Sequence, residues 1–546
     1  MVTCSAYWRR HPGRGHRMGD EPDHPRGGAP AGSDPTGDGG GVLRRRVALS
    51  TVSNYAGQAT ILLTWFFLTP FLLDQLGSDV YALFVLATAL MGYGSLLDLG
   101  LTSSVVRFVA ELHARGETAA LRDTVATGFV LSTLLGVATF AAGAVVAPLA
   151  PVLFAVPDDQ RAVTTQLVLL TAVSAGLVFP TGTLFAVLRG LQRFDLVNAV
   201  SIVATLLTAA ATVVALLLGG GVLWVVGVGI PISIAMQVPA YLAVRRAAPG
   251  LRLGQGRPRR HLVGRLVSFG WAVLVVQGAS QIKTRTDEIV IAVFLPVARV
   301  TPYALARRVA EAPQILTYQF VRVLMPLSAE LGARDERDRL RRVLLTGTRL
   351  TLVAYLLLGT GVMALAGPFL AAWVGEEFRS AGVIMVLLVL AGVVDTAVWP
   401  AASVLQGISR HRPLALFAVV GALLNLGVSV VLIHPYGPTG VALGTLVAAT
   451  VETLVLVVPY ALRVAEVSVT ALLREAVWPA LLPAVPAAAA ALGLRAALAP
   501  ESLLAVLAVG AAAGAVYVVV FLATPGAATE RDILVRAMLR RRRRHP

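Results

Sequence analysis

The chain has 546 residues, 56% of them hydrophobic and only 14% charged, a balance too apolar for a soluble protein of this length. The formal net charge is +16, but no aromatic residues are interleaved in the basic segments, which argues against nucleic acid as a partner. Cys4 is the only cysteine, so a single chain holds neither a disulfide nor a cysteine metal site.

In chain order, residues 1–45 come first, rich in Gly, Pro, Asp and Arg; they cannot bury a core and read as a disordered cytoplasmic tail. They lack the apolar stretch of a signal peptide, and both Met1 and Met18 are possible starts. Apolar runs long enough to span a bilayer then recur at 50–73, 80–103, 125–149, 163–187, 197–218, 222–244, 266–295, 302–327, 343–370, 382–405, 413–434, 438–460, 476–497 and 502–523. They predict an all-α integral membrane protein of about fourteen transmembrane helices. Residues 46–244 hold helices 1–6, 245–265 form a basic cytoplasmic linker, and 266–461 hold helices 7–12. Residues 462–546 hold the last two helices and a basic tail. The tail's Arg540–Arg544 run suits anionic lipid, at about 1 kcal/mol per residue.

Loop charges test this layout, because cytoplasmic loops collect Lys and Arg. With the N-terminus inside, thirty-two basic residues fall in the inside segments, and only Arg161, Arg299, Arg379 and Arg495 fall outside. A missed or invented helix would invert every later loop, and no inversion occurs. Both termini are therefore expected in the cytoplasm and the protein in the cell membrane.

The chain contains a duplication. Residues 110–128 and 329–347 are identical at ten of nineteen positions, at an offset of 219. Tyr81-Ala82-Leu83 matches Tyr303-Ala304-Leu305, and the segment Leu188 to Arg193 matches Leu405 to Arg410. Six helices is an even number, so helices 1–6 and 7–12 are expected as parallel repeats, related by an axis along the membrane normal.

Ionisable residues inside a membrane need a reason, and the seventh and eighth spans concentrate them. Gln277, Gln281, Thr284 and Glu288 are spaced to share one helical face, widened by Ser280, Lys283 and Asp287, with Arg285 beside it. Lys283 is the only lysine of the chain. The eighth span adds Arg307, Arg308, Glu311 and Arg322. Two readings remain open. Pairs at helical spacing, Lys283–Asp287, Arg285–Glu288 and Arg307–Glu311, could satisfy one another. Alternatively, the surplus of cations lines a cavity for an anionic group, with Lys283, Arg285, Arg307, Arg308, Gln277 and Gln281 as substrate-binding candidates. Asp287, Glu288, Asp395 and Glu452 are candidates for a coupling ion, with a hydrogen bond to a neighbouring helix as the alternative for Asp395 and Glu452. No catalytic residue, metal site or cofactor is expected.

Taken together, Thr69-Pro70 with Leu76-Gly77 and Tyr81, Asp98 to Leu101, Leu188 to Asp195, and Thr286-Asp287 leading to Tyr303 resemble the polysaccharide-transporter branch of the superfamily that includes the multidrug and toxin extrusion proteins. The resemblance is nearest to Wzx-type flippases and covers residues 45–525. It implies alternating-access movement of a polyprenyl-pyrophosphate-linked oligosaccharide to the outer face, for polysaccharide biosynthesis. The implied partners are that substrate, membrane lipids, and a glycan polymerase or glycosyltransferases. A drug/cation antiporter and a peptidoglycan-precursor flippase share the fold. The antiporter should carry cavity carboxylates, whereas the seventh and eighth spans are net basic.

Overall fold

The computed structural model describes residues 39–524 and Arg531, except 95–97, 99, 252–254, 322–323, 335 and 411. Side chains are described outside 39–52, 91, 268–277, 279–280, 282–284 and 319–320. The expected tail over 1–38, Arg322, the Arg540–Arg544 run and the side chains of Gln277, Ser280, Lys283 and Thr284 lie outside the described residues. Met1–Leu49 and Ser50–Pro546 are separate units, and every helix named here belongs to the second.

Among the described residues all regular structure is helical. Lipid offers no hydrogen bonds, so each apolar run satisfies its backbone internally. Eleven segments among the described residues are long and apolar enough to cross a membrane. The first, Ser53–Gly94, is two helices, α1 (53–76) and α2 (from 78), joined at Gly77, whose φ of 76° and ψ of 164° break the helix. Next come α3 (Thr118–Val146), α4 (Arg161–Gly190), α5 (Phe194–Leu217) and α6 (Val222–Ala247). Then follow α7 (Arg260–Phe294), α8 (Val300–Val321, resuming as Leu324–Ala333), α9 (Arg337–Ala364) and α10 (Gly382–Gly407). The last are α11 (Arg412–Tyr436), α12 (Pro438–Val464), α13 (Val469–Leu498) and α14 (Leu503–Ala523).

One expectation from sequence changes. The second span was expected unbroken over 80–103, but α2 stops at Gly94 and restarts as Leu101–Ala114. Gly100 takes φ 67°, and the Asp98 carboxylate accepts from the Thr102 hydroxyl at 2.9 Å and its backbone N–H at 3.2 Å, capping the new start. Within the basic linker 245–265, helix persists to Ala247 and resumes at Arg260. Arg257 and Arg259 are fastened to α3, where Asp123 accepts the Arg257 N–H at 2.8 Å and Arg259 Nε at 2.9 Å. Gly256 has no side chain because a Cβ there would lie 2.1 Å from the Arg122 carbonyl oxygen.

The matched segments adopt matched geometry. The turns after α4 and α10 place Gln192 at φ 57° and Ser409 at φ 60°. The Arg193 N–H donates to the Leu188 carbonyl and the Arg410 N–H to that of Leu405, each at 2.8 Å. Gly190 and Gly407 let these turns press on α2 and α8, since a Cβ would lie 2.9 Å from the carbonyl oxygens of Val106 and Met325 respectively. A further match appears at the opposite end of the bundle. Short helices Ala150–Leu153 and Ala366–Val374 precede the acidic turns Asp158–Gln160 and Glu376–Ala381, where Arg161 pairs with Asp158 and Arg379 with Glu376.

Packing differs between the two ends. Away from the basic loops one continuous apolar core includes Leu72, Tyr81 and Leu216 together with Ile291, Leu370 and Ile433. At the basic-loop end two separate cores replace it. One is centred on Val105, Val187 and Val244, the other on Leu344, Leu405 and Leu462.

Candidate functional site

At the inner edge of the shared core, α1, α2, α7 and α8 meet around a crevice of about 40 Å³. From the second copy it is lined by Arg285, Glu288, Ala304, Arg307, Arg308 and Glu311, and from the first by Trp65, Tyr81, Phe84, Val85 and Thr88. Arg307 is 9% exposed, and both of its charge partners are fixed by helix geometry. Its Nε donates to Glu311 Oε1 at 2.9 Å, one turn along α8, and its Nη1 donates to Glu288 Oε2 at 2.8 Å across from α7. The expected Arg307–Glu311 pair is present. Glu288, paired on sequence spacing with Arg285, instead reaches Arg307, because at 3% exposure it faces α8.

Among the described residues Arg285 and Arg308 form no ion pair. The Arg308 guanidinium lies 4.2 Å from the centroid of the Trp65 ring, a cation–π contact of about 2 kcal/mol when desolvated. Arg285 runs along Gly92 of α2, where a Cβ would lie 3.3 Å from the guanidinium stem. The crevice therefore brings together three cations and two carboxylates, and both carboxylates are committed to Arg307.

Of the other candidates with described side chains, none lines the crevice. Gln281 donates to the Gly92 carbonyl at 2.6 Å, tying α7 to α2. Asp287 points into the second copy: its Oδ2 accepts from Tyr303 OH at 2.5 Å and Thr445 Oγ1 at 3.0 Å. Asn425 Nδ2 in turn donates to Thr445 Oγ1 at 3.0 Å. Asp287 Oδ1 and Asn425 Oδ1 are both buried without a hydrogen-bond donor among the described residues. Asp395 sits on α10, and Glu452 on α12 presses on Gly421 of α11; neither lines the crevice. Sequence reasoning missed Trp65, Thr445 and Asn425. Tyr303 entered the sequence reading as a repeat anchor and as part of the resemblance, but not as a partner of Asp287; a tyrosine one helix away from a membrane aspartate was the available signal.

Arranged in this way, a helical bundle with a cationic crevice between two similar halves is the architecture of a membrane transporter. Solved structures share the fold. A lipid II flippase MurJ in an inward closed conformation matches with TM-score 0.67 and 14% identity, over 89% of this chain and 100% of that one. An inward-facing multidrug resistance MATE family transporter of the MOP superfamily matches with TM-score 0.62 and 13% identity, over 75% and 94%. The Vibrio cholerae MATE transporter VcmN in its bent form gives 0.54 and 16%, over 78% and 98%. Comparison with curated protein sequences finds no match. The chain belongs to the polysaccharide biosynthesis protein family, whose model matches residues 43–332.

Proposed function

We propose that this protein is a flippase carrying a polyprenyl-pyrophosphate-linked oligosaccharide from the cytoplasmic to the outer face of the cell membrane, for polysaccharide biosynthesis. In this reading fourteen helices cross the membrane, both termini are cytoplasmic, and residues 46–244 and 266–461 are two lobes that rock against each other. Glycosyltransferases supply the substrate and a polymerase consumes it; the protein itself performs no covalent chemistry.

The observation that carries the reading is the pair of guanidiniums, Arg285 and Arg308, left without a carboxylate in a crevice where Arg307 holds both. A pyrophosphate or an acidic sugar is the complementary group. A volume of about 40 Å³ admits water and not a headgroup, so loading requires the lobes to part. Separate cores at the basic-loop end favour parting on the cytoplasmic side. At the other end Trp373 stacks on Phe66 at 5.5 Å and donates to the Phe66 carbonyl at 2.9 Å, and this contact must break for release. Asp287, with Asn425 and Thr445, is the proposed seat of a coupling proton or cation, and Asp395 and Glu452 are assigned to helix packing. Lys283 and Gln277 remain substrate-binding candidates on α7.

The test is export in a strain lacking the native gene. Arg285→Gln/Arg308→Gln should lower surface glycan at least tenfold with the protein still in the membrane. Full export by this variant would end the reading. If the null strain keeps its glycan and changes only its drug tolerance, the antiporter is correct. Reporters fused after Gly220, Pro296 and Gly437 should report outside, and those after Arg260 and Arg334 inside; one reversal breaks the topology.

A further inference from the structure

A second polar pocket lies in the inner half of the first copy, between α1 and α5, with a volume of about 190 Å³. It shares no lining residue with the crevice. Asn54 and Gln58 enter it from α1, Asn198, Ser201 and Thr205 from α5, and the exposed Arg189 from the end of α4. The spacings of four on α1, and of three and four on α5, put each set on one helical face. Polar stripes on membrane helices are most often glue between neighbours. Here the glue is accounted for by one bond, Asn198 Nδ2 to Asn54 Oδ1 at 2.7 Å. Gly57 allows that approach, since a Cβ there would already lie 3.3 Å from Asn198 Oδ1. The side chains of Gln58, Ser201 and Thr205 make no protein hydrogen bond among the described residues, yet they line open space.

We propose that this pocket is a subsite for one uncharged sugar of the lipid-linked glycan, gripped through its hydroxyl groups; the proposal rests on the flippase reading. The lining supplies amides and hydroxyls that both donate and accept, as sugar hydroxyls require, and contains no carboxylate to attract a cation. Ile61 and Ile202 give an apolar wall for the C–H face of a ring. The volume is below that of a drug-sized site, so it suits a single sugar rather than an oligosaccharide. Asn54, Gln58, Ile61 and Trp65 follow one face of α1, so the pocket and the crevice lie along the same helix edge, with Gln58 about 10 Å from Trp65 along the axis. Glycan and phosphate are thereby read by one helix at two depths.

The experiment uses the full chain in nanodiscs with Cys4→Ser and Ser201→Cys, alkylated by a polar maleimide. Glucose, galactose, rhamnose, N-acetylglucosamine and N-acetylgalactosamine are added singly at millimolar concentration. At least one should slow labelling threefold or more at position 201 and not in a Thr118→Cys reference, and Gln58→Leu should remove the protection. Failure of all five sugars to protect, or protection that survives Gln58→Leu, overturns the proposal. In cells, Gln58→Leu and Ser201→Leu should each reduce export at least tenfold at unchanged membrane abundance. A null strain with normal glycan would sink the flippase reading itself. A null strain without glycan, fully rescued by both leucine variants, would sink the sugar subsite alone.

Discussion

Tyr81 in α2 and Tyr303 in α8 stand at the same place in the repeat, and both are buried. Beyond these tyrosines the two helices diverge. Counting from the shared Tyr-Ala-Leu, Val85, Leu86 and Ala89 of the first copy occupy the positions of Arg307, Arg308 and Glu311 in the second. The turns Leu188–Arg193 and Leu405–Arg410, in contrast, keep the same hydrogen bond, the same left-handed residue and the same glycine contact. The comparison separates what the bundle needs from what the site needs. Both copies require the turn to press one helix against the next. Only the second bears the cost of burying charge, and it does so where the first supplies an aromatic lid, Trp65.

The comparison can be broken most severely at Arg307. Removing it alone, as Arg307→Val, leaves Glu288 buried without a cation and should cost about 3–5 kcal/mol, read as loss of folded protein by size-exclusion chromatography. Giving the second copy the first copy's character, as Glu288→Leu/Arg307→Val/Glu311→Ala, should restore folding but not export. A triple variant that exports would mean the charges serve packing only. Next come the glycines. Gly190→Leu and Gly407→Leu should each destabilise by about 1–3 kcal/mol and to a similar extent, measured as a fall in Tm; a loss in one alone would deny that the turns are equivalent. Trp65→Leu should cost up to about 2 kcal/mol through Arg308, and the loss should vanish in an Arg308→Gln background. The smallest effect is a gain. Gln192→Gly and Ser409→Gly relieve positive φ and should each raise stability by about 1 kcal/mol.

Much of the bundle was legible in sequence because length and apolarity alone dictate a membrane helix. The duplication was legible in part for a related reason: both turns keep the glycine that their close helix contact requires, Gly190 and Gly407. Legibility failed where a residue's partner lies on another helix. Spacing along α7 offered Glu288 to Arg285, but rotation of the helix gives it to Arg307. Trp65 reads as one more apolar residue until Arg308 is placed over its ring. The break in α2 was hidden for a second reason. Asp98 and Gly100 are helix punctuation, but in an apolar run the hydropathy signal passes over them.

The fastening of Arg257 and Arg259 to Asp123 bears on how the chain is made. During synthesis the whole first copy, α3 included, leaves the ribosome before residues 257–259 do. The residues that the strap binds are therefore made before the strap, and the strap before the rest of the second copy. The Ser104 hydroxyl then meets the Leu266 carbonyl at 2.7 Å, and the Arg265 guanidinium settles 4.5 Å from the centre of the Phe108 ring. The older half of the nascent chain thus offers a set of contacts that, in the folded protein, hold the start of the younger half in place. A chain whose two halves resemble each other this closely is at risk of pairing its helices out of order, and a start point set in advance guards against that error.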